Sequence, residues 1–424
     1  MSAPTGMALR VYGWATRGLG LIAPMVLKRR LKRGKEDPAR WREKLAETAV
    51  ARPTGPLVWL HAVGLGEVMA LRGLIAEMAG LRPDLHFLIT STARSSAEVV
   101  AANLPPRTVH QFLPVDAPRF VRVFLDHWRP DLSVWSEQDL WPNFVRAIHD
   151  RGIPLALVNA RMNDRAGRSR ARAGRLYADL YARFSLIAAQ DEGSAAVLEA
   201  LGAPGPVLRH RSLKVVAPPL AVDTKALAAL EAALGARARW CLASSHPEDE
   251  AVAFKALAAL RRAGDGALLI LAPRRVERGA GIAGAAGRAG FSVAQRSTGA
   301  GPDGVDVYVA DTFGEMGLWY RLCDRVLMGG TFGPVEGHNP WEPARLGAAV
   351  LHGPRVANFA ADYAALDAAD AARPVRDAGA VVAELSGDLA PVAARARVLA
   401  EEGSADIAGL ADGLVALLGE AAHG

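Results

Sequence analysis

The sequence predicts an α/β protein with two doubly wound parallel sheets. Three observations lead to this prediction. The 424 residues suit two globular domains at about 100–200 residues each. From residue 57 onward, short apolar runs alternate with helical patterns, which is the rhythm of parallel α/β sheets. That rhythm pauses at Ala217-Pro218-Pro219, a typical linker composition. We therefore expect two Rossmann-like domains of similar size.

The predicted strands are short apolar runs bounded by turn residues. In the first domain they cover residues 57–63, 85–91, 132–136, 154–159 and 186–189. Helices are predicted over 67–79, 95–102, 117–127, 139–150 and 163–183. In the second domain the predicted strands cover 240–244, 267–272, 307–310, 325–329 and 349–353. Residues 390–424 are rich in Ala and Leu and are predicted to be helical and to pack back across the domains.

We accordingly divide the chain into an apolar and basic segment (1–35), a first domain (36–216) and a second domain (217–424). Ligands of open α/β sheets bind beyond the carboxyl ends of the strands. With two such domains face to face, we expect the site in a central cleft.

The formal net charge of +6 comes from two basic islands. Residues 28–35 carry six positive charges and no acid, and residues 161–175 carry six arginines and one aspartate. The islands together hold +11, so the rest of the chain is mildly acidic at −5. A nucleic-acid-binding protein more often spreads basic charge over one face of its fold. We therefore expect no nucleic-acid partner.

The N-terminal segment predicts contact with a membrane surface. Residues 7–27 are apolar but interrupted by Arg10 and Arg17, and the longest uncharged run is half of what a spanning helix needs. An apolar helix with Tyr12 and Trp14, followed by a basic run, suits the interface of an anionic membrane. Alternatively, the helix packs on the body and the basic run is solvated. A single membrane span remains a further alternative.

Several chemistries are disfavoured. The two cysteines, Cys241 and Cys323, are too few for a disulfide framework or a zinc cluster, which indicates a reducing compartment. The sequence has no Walker A motif, no zinc-protease motif and no Gly-x-Ser-x-Gly elbow. His338 has no second metal ligand at a useful spacing, so a metal site is not expected.

Candidate site residues of the first domain follow predicted strands. Glu67 begins the helix after Gly64 and Gly66, and it is either a helix cap or a general base; from this segment alone the cap is favoured. Glu137 and Asp139 follow a strand together and could act as acid and base or bind a metal ion. Alternatively, Asp139 is a helix N-cap and Glu137 is a polar group whose hydrogen bonds are satisfied within the protein. Lys214 ends the last strand before the linker. Five arginines of the second island share one helical face that binds phosphate or is merely solvated: 161, 165, 168, 172 and 175.

In the second domain the candidates are also at strand ends. Pro273 and Arg274 end one strand, and residues 311–317 end another and open a helix whose amide groups suit a phosphate. The glycine-rich residues 328–343 allow a ligand close to the backbone, and Glu342 is placed to bind a ribose diol. Dinucleotide binding is weakly supported, because the first glycine turn has Met69 where a third small residue belongs.

Together these motifs resemble the 3-deoxy-D-manno-octulosonic acid (Kdo) transferases, which add Kdo to a lipid A precursor. The resemblance covers nearly the whole chain. It rests on eight segments: His61–Glu67, Glu137–Asn143, Asn159–Arg161, Ser212–Lys214, His246–Glu248, Pro273–Arg274, Asp311–Glu315 and Gly337–Pro343. It implies a GT-B fold, with an N-terminal acceptor domain and a C-terminal domain for the donor CMP-Kdo.

The resemblance also implies residue roles. Glu67 becomes the base that deprotonates the glucosamine 6-hydroxyl, which reverses the preference for a cap. Glu137 and Lys214 stabilise the transition state, and transfer is inverting, metal-independent and free of cofactors. The implied location is the cytoplasmic face of the bacterial inner membrane. The residues implied to hold CMP are Pro273, Arg274, Phe313, Gly314, Glu315, Asn339, Pro340 and Glu342.

The chain departs from the family pattern at Gly64, Asp139, Arg211 and Arg275-Val276. These changes leave the acceptor preference and the number of sugars open. Two alternatives also stay open. One is a GT-B transferase that uses another nucleotide sugar, and the other is a non-catalytic protein that binds anionic membrane or nucleic acid through its basic islands.

Overall fold

The computed structural model describes residues 6–92, 104–137, 139–162, 164–173, 175–210, 212–213 and 220–420. The chain divides into two compact units, Met1–Ala217 with Gly403–Gly424, and Pro218–Glu402. The division after Ala217 lies one residue beyond the boundary drawn from the sequence. The helix Ala390–Glu420 begins in the second unit and ends in the first, and its residues from Gly403 onward belong to the first unit.

The first unit is built on a parallel sheet of seven strands in the order β3-β2-β1-β4-β5-β6-β7. The strand order reverses between β1 and β4, which pair directly. In such sheets the carboxyl ends of the strands at the reversal are the usual ligand position. We call these two strand ends and the residues that follow them the β1–β4 junction. The strands are β1 Leu57–His61, β2 His86–Ser91, β3 Thr108–Phe112, β4 Leu132–Ser136, β5 Leu155–Ala160, β6 Leu186–Ala189 and β7 Leu208–Arg209.

Helices cover both faces of this sheet, since successive strand residues point to opposite sides. Trp59 packs with Phe144 in one core cluster, whereas its neighbour Leu60 packs with Leu71 in the other. The end of helix Ala390–Glu420 closes the second cluster through Leu414. The helices after β1 are α3 Leu65–Leu81, Pro118–Trp128, Pro142–His149, Asp164–Arg172, Arg175–Tyr181 and Glu192–Ala200.

The second unit has its own parallel sheet of seven strands in the order β10-β11-β9-β8-β12-β13-β14. Here the order reverses between β8 and β12, and we call the ends of these strands and the residues after them the β8–β12 junction. The strands are β8 Arg239–Ser245, β9 Leu268–Pro273, β10 Val293–Gln295, β11 Val307–Val309, β12 Arg325–Met328, β13 Ala349–His352 and β14 Ala372–Pro374. The helices are Thr224–Leu234, Pro247–Arg262, Gly279–Arg288, Met316–Leu322, Trp341–Arg345, Ala360–Ala368, Ala378–Leu385 and Ala390–Glu420.

The N-terminal segment forms two helices rather than one, α1 Met7–Ala15 and α2 Leu19–Lys32, joined by a single 3₁₀ turn. Helix α2 continues through most of the basic run. Leu9 is buried in the core of the first unit, and Ala23 and Leu27 pack against Phe120 in a smaller cluster. Within the described part of the chain, no helix combines the length and the apolar character needed to cross a membrane.

Candidate active site

Glu67 lies in the first turn of α3, directly after β1, and its carboxylate binds the start of its own helix. Oε2 accepts hydrogen bonds from the backbone N–H groups of Val63 at 2.9 Å and Gly64 at 3.2 Å. This is the capping geometry, and it holds the carboxylate at the β1–β4 junction. Among the described residues no donor reaches Oε1, so this oxygen is open to a hydrogen bond from a ligand.

A histidine and an aspartate join the ends of β1 and β4. The buried His61 contacts Asp139 Oδ2 through Nε2 at 3.3 Å and Thr90 Oγ1 through Nδ1 at 2.9 Å. Because an ionised carboxylate can only accept, we assign a proton to Nε2. Trp141 Nε1 donates to the same oxygen at 2.9 Å. Burial raises the pKa of Asp139, but the hydrogen bonds from His61 and Trp141 outweigh it and leave the pKa below its ordinary value.

Two residues near the carboxyl ends of strands in this sheet have left-handed backbone conformations. The φ angle is 62° at Glu137, directly after β4, and 54° at Asn159 in β5. Such conformations are uncommon outside glycine and cost about 1–3 kcal/mol each, so the surrounding structure must enforce them. The Glu137 N–H donates to the Val158 carbonyl at 2.9 Å, which fixes this turn. Because β4 pairs with β1, Glu137 and Glu67 follow neighbouring strands of the sheet.

Asn159 holds the segment that leads to Lys214. Its Oδ1 accepts a hydrogen bond from the Leu213 N–H at 3.1 Å. Its fully buried Nδ2 has no hydrogen-bond partner among the described residues. An unsatisfied buried donor costs about 1–3 kcal/mol, so this amide is a candidate to bind water or substrate. Lys214 and Arg211 lie outside the described residues.

The second basic island does not form one continuous helical face. One helix covers Asp164–Arg172 and the next begins at Arg175, so the predicted single helix over 163–183 is wrong. The sequence has a glycine at position 174, a poor helix former. Arg168 and Arg172 are exposed on the first helix, and Arg161 is exposed before it begins.

The N-terminal helices leave an apolar surface uncovered. Trp14 is 72% exposed and Leu21 is 81% exposed. Exposed apolar area next to basic charge is typical of helices that lie in a membrane interface. The large apolar residues exposed on α1 and α2 are Met7, Val11, Trp14, Leu21, Ile22, Met25 and Val26.

Part of the first basic island is neutralised by a carboxylate that the sequence reasoning left out. The buried Glu36 accepts hydrogen bonds from Arg30 Nε and Lys44 Nζ. Burial raises the pKa of Glu36, but these two cations outweigh it and lower the pKa overall. Glu36 follows the basic run directly, and its proximity in sequence was the available signal. The other basic side chains of the run are exposed: Lys28, Arg29, Lys32, Arg33 and Lys35.

In the second unit a pair of histidines joins the ends of β8 and β12. The Nε2 atoms of His246 and His338 are 3.0 Å apart. The ring planes differ by only 12° and the centroids are 5.3 Å apart, so the rings meet edge to edge, as an N–H···N hydrogen bond requires. Burial, then the neighbouring His246 ring and the Arg274 charge, lower the pKa of His338 to about 4, and burial lowers the pKa of His246. Both rings are therefore neutral at pH 7.

Asp249 ties the end of β8 to the glycine-rich loop after β12. It accepts hydrogen bonds from the N–H groups of His246 (2.9 Å), Gly330 (2.7 Å) and Phe332 (3.1 Å). Burial raises the pKa of Asp249 despite these donors. Gly330 has a φ of 72°, and a Cβ there would lie 3.2 Å from the His338 ring. The loop that carries Asn339 is thus fixed against β8.

Glu342 follows this loop, in the short helix Trp341–Arg345. Burial raises its pKa to about 7, although the Asn339 side chain and the Arg274 charge act in the opposite direction. Asn339 Oδ1 accepts from the Trp341 N–H at 3.1 Å, and Pro340 stands at the N-cap position of the helix. Glu342 is therefore a carboxyl group that titrates near neutral pH.

Pro273 is the last residue of β9, and the Arg274 N–H donates to the Ser245 carbonyl of β8 at 3.2 Å. The Arg274 side chain is exposed. The loop after β11 presents Phe313, 87% exposed, and Gly314 with a φ of 85°. The helix that follows begins only at Met316.

Glu315 is held by a cation that the sequence reasoning missed. Arg296 donates through Nη2 to Oε1 at 2.8 Å and through Nε to Oε2 at 3.1 Å. Thr312 also donates to the carboxylate, and these hydrogen bonds, Arg296 first, lower the pKa of Glu315. Arg296 precedes β11 by several residues, so no local motif joins it to Glu315.

Among the described residues, no three or more His, Cys, Asp or Glu side chains are grouped so that they could hold a metal ion. Cys241 and Cys323 are buried free thiols, and burial raises both pKa values. Neither thiol is activated as a nucleophile.

Residues 39–217 match the family model described as 3-Deoxy-D-manno-octulosonic-acid transferase (kdotransferase). The chain is 33% identical over 359 residues to the probable mitochondrial 3-deoxy-D-manno-octulosonic acid transferase of Arabidopsis thaliana, covering 82% of this chain and 80% of that protein. It is 32% identical over 394 residues to the 3-deoxy-D-manno-octulosonic acid transferase of Bordetella pertussis, covering 89% and 88%.

Solved structures agree on the fold. The UDP-GlcNAc 2-epimerase of Neisseria meningitidis matches with a TM-score of 0.55 at 13% identity, covering 86% of this chain and all of that one. The glycosyltransferase VinC in complex with dTDP matches with a TM-score of 0.52 at 14% identity, with the same coverage. With two parallel seven-stranded sheets, the chain has the GT-B fold class that the sequence predicts.

Proposed function

The chain belongs to the 3-deoxy-D-manno-octulosonic acid transferase family and is a glycosyltransferase; from this premise we propose that it transfers Kdo from CMP-Kdo to the glucosamine 6-hydroxyl of a lipid A precursor. The single observation that carries the proposal is the family membership over most of the chain. The site geometry supports it, since carboxylates lie at the β1–β4 junction and an arginine lies beside the β8–β12 junction.

The second unit binds the donor in this proposal. Arg274 offsets the phosphate charge of CMP, both while it is bound and as it leaves. Glu342 and Asn339 accept and donate hydrogen bonds at the ribose, and the exposed Phe313 offers an aromatic face to the base. Pro273, Gly314, Glu315 and Pro340 complete the proposed CMP site.

The first unit supplies the acid and base groups. Glu67 takes the proton of the 6-hydroxyl as the hydroxyl oxygen attacks the anomeric carbon of Kdo. The bond from that carbon to the CMP phosphate oxygen breaks on the opposite face, so the configuration inverts. Glu137 and Lys214 stabilise the transition state. The hydrogen bonds that the helix start donates to Glu67 Oε2 orient the carboxylate. Its other oxygen, Oε1, has no hydrogen-bond partner among the described residues. The proposed reaction requires neither a metal ion nor a cofactor.

A lipid acceptor is consistent with the N-terminal helices. Their exposed apolar residues and the adjacent basic side chains suit an anionic bilayer surface, where each Lys or Arg contributes about 1 kcal/mol. The exposed Arg168 and Arg172 are further candidates to contact the phosphates of the acceptor. We therefore propose that the protein works at the cytoplasmic face of the bacterial inner membrane.

The test is a transfer assay on the full chain with radiolabelled CMP-Kdo and tetraacylated lipid A precursor in anionic vesicles. We expect label in the lipid fraction, unchanged by EDTA, and none with an acceptor whose 6-hydroxyl is methylated. NMR of the product reports the anomeric configuration, which should be inverted relative to the donor.

Label that stays in the aqueous phase contradicts the proposal. Transfer to the methylated acceptor contradicts the assigned hydroxyl, and loss of transfer in EDTA contradicts metal independence. Competition by unlabelled CMP, but not by UDP or GDP, separates this donor from other nucleotide sugars. Salt-sensitive binding to DNA without any transfer would favour the non-catalytic alternative.

A further inference from the structure

Asp116 is a buried carboxylate at the start of the helix Pro142–His149. It is only 2% exposed. Its Oδ2 accepts from the Asn143 N–H at 3.2 Å, and its Oδ1 accepts from the Phe144 N–H at 3.1 Å. The Asp116 carbonyl also accepts from Asn143 Nδ2 at 2.8 Å. A residue far away in the sequence thus caps this helix in place of a local N-cap residue.

The same carboxylate binds the N-terminal helix α1. The Tyr12 hydroxyl donates to Asp116 Oδ2 at 3.0 Å. Asn143 Nδ2 also donates to Thr16 Oγ1 at 2.8 Å, directly after α1. The backbone of α1 approaches closely at Gly13, where a Cβ would lie 3.1 Å from the Arg146 guanidinium. Helix α1 is therefore joined to the first turn of Pro142–His149 by hydrogen bonds and by close packing.

That first turn is continuous with the β1–β4 junction. Trp141 is the N-cap residue of the helix, and its indole donates to Asp139, which contacts His61 at the end of β1. A path of contacts therefore runs from Tyr12 through Asp116 and the helix start to Asp139. Glu137 lies on the same short segment between β4 and the helix.

Stability alone gives little reason for a carboxylate at this position. Burial raises the pKa of Asp116 to about 6, and its hydrogen bonds from Asn143, Tyr12 and Phe144 do not fully offset that cost. All of these donors are neutral groups, and no cation among the described residues donates a hydrogen bond to the buried carboxylate. A short carboxylate with two oxygens can, however, accept from the helix start and from α1 at once.

We propose that Asp116 is a positioning residue through which helix α1 fixes Asp139–Trp141, the described residues between Glu137 and the helix Pro142–His149, for transfer. This inference rests on the proposed function, since the transferred group is Kdo. In this account the N-terminal helices orient the β1–β4 junction as well as contacting lipid. Asp116 does not touch the substrate, and its effect reaches the reaction through Asn143, Phe144 and Trp141.

The test compares Asp116→Ala, Asp116→Asn and Tyr12→Phe with Asp126→Ala in the full chain. Asp126 is the matched control, because this exposed carboxylate binds Arg151, just beyond the other end of the same helix, at 2.7 Å. Hydrogen exchange of residues 139–149 and steady-state transfer kinetics are measured on each protein. Vesicle sedimentation checks that lipid binding is retained.

We expect the amides of residues 143 and 144 to exchange about tenfold faster in Asp116→Ala, because this variant loses the cap on the helix start and the contact with Tyr12. The value of kcat should fall about tenfold in this variant and about threefold in Tyr12→Phe, with an unchanged KM for CMP-Kdo. Asp116→Asn should recover part of the loss, and Asp126→Ala should match the wild type.

Wild-type exchange and wild-type kcat in Asp116→Ala and Tyr12→Phe would overturn the inference, as would an effect on KM alone. If Asp116→Ala does not fold, the milder Tyr12→Phe decides by the same two readouts. A wild-type protein that transfers no Kdo contradicts the proposed function, whereas the exchange of residues 143 and 144 still tests whether Asp116 positions the helix start.

Discussion

The two junctions share a plan but treat negative charge in opposite ways. Each places a histidine where the first strand of its sheet ends: His61 is the last residue of β1, and His246 directly follows β8. At the β1–β4 junction the partner is Asp139, whose pKa lies below its ordinary value. At the β8–β12 junction the partner is His338, and both rings are neutral at pH 7.

The nearby carboxyl groups follow the same division. In the second unit burial raises the pKa of Asp249, and it raises that of Glu342 to about 7. Negative charge is thus reduced at Asp249 and Glu342 and retained at Asp139. Glu315, after β11, differs from Asp249 and Glu342, because its hydrogen bonds with Arg296 lower its pKa. The same strand arrangement therefore places a histidine beside a carboxylate in the first unit and beside a second histidine in the other.

The largest expected effect tests the first junction. Glu67→Ala removes the proposed base, so transfer should fall by about 10²–10⁴-fold while CMP binding persists. The lost cap should cost only about 1 kcal/mol of stability. Initial rates and a CMP titration measure both quantities. Glu77→Ala, exposed on the same helix, is the control. Retained turnover in Glu67→Ala would remove the base assignment.

The next effect tests the second junction. Arg274→Ala removes a charge-assisted contact worth about 1.5–3 kcal/mol, so CMP should bind roughly 10- to 100-fold more weakly. The neighbouring Arg275 is also exposed, and Arg275→Ala should bind CMP like the wild type. Isothermal titration measures the affinities. Equal losses in the two variants would point to general charge rather than to a site at Arg274.

A pH titration sharpens the contrast in carboxyl charge. Glu342 accepts hydrogen bonds most strongly when ionised, and its pKa is about 7. CMP affinity should therefore rise about tenfold between pH 6 and pH 8. Glu342→Gln removes the part of this pH dependence that comes from Glu342, so only the titration of the CMP phosphate changes the affinity. An identical pH profile in both proteins would show that Glu342 does not contact the nucleotide.

The smallest expected effect concerns the pair at the first junction. Asp139→Asn weakens the contacts with His61 and Trp141, which should lower stability by about 1 kcal/mol at pH 7, since the carboxylate is partly exposed. Because the pKa of Asp139 is lower in the folded state, its ionised form stabilises the fold at pH values above the unfolded pKa of about 3.9. This stabilisation is lost as the pH falls through the folded-state pKa. Thermal melts should therefore converge below pH 4. A difference that does not shrink as the pH falls below 4 contradicts the ionic contribution.

Sequence periodicity predicted the inner strands of both sheets and missed the outer ones. The missed strands are β3, β7, β10 and β14, which are the two edges of each sheet. Edge strands are short and partly exposed; β7 has two exposed residues and β10 has three residues in all. They lack the continuous apolar run that identifies a buried strand.

For the candidate site, sequence order predicted which residues follow strands but not what they contact. Glu67 and Glu137 follow strands as expected. The partners of His61 and His338 were not predicted, because they lie 78 and 92 residues away along the chain. Asp116 was missed for the same reason, since it caps a helix that begins far downstream. Such contacts depend on strand order, which no local pattern encodes.

The most direct test of Kdo transfer from CMP-Kdo is a donor competition read by mass. The full chain is incubated with tetraacylated lipid A precursor and equimolar CMP-Kdo, CMP-sialic acid and UDP-GlcNAc, and the lipid products are analysed by mass spectrometry. We expect lipid that is heavier by the mass of one or more Kdo residues and of no other sugar. A product that carries another sugar, or unmodified lipid alone, would contradict it.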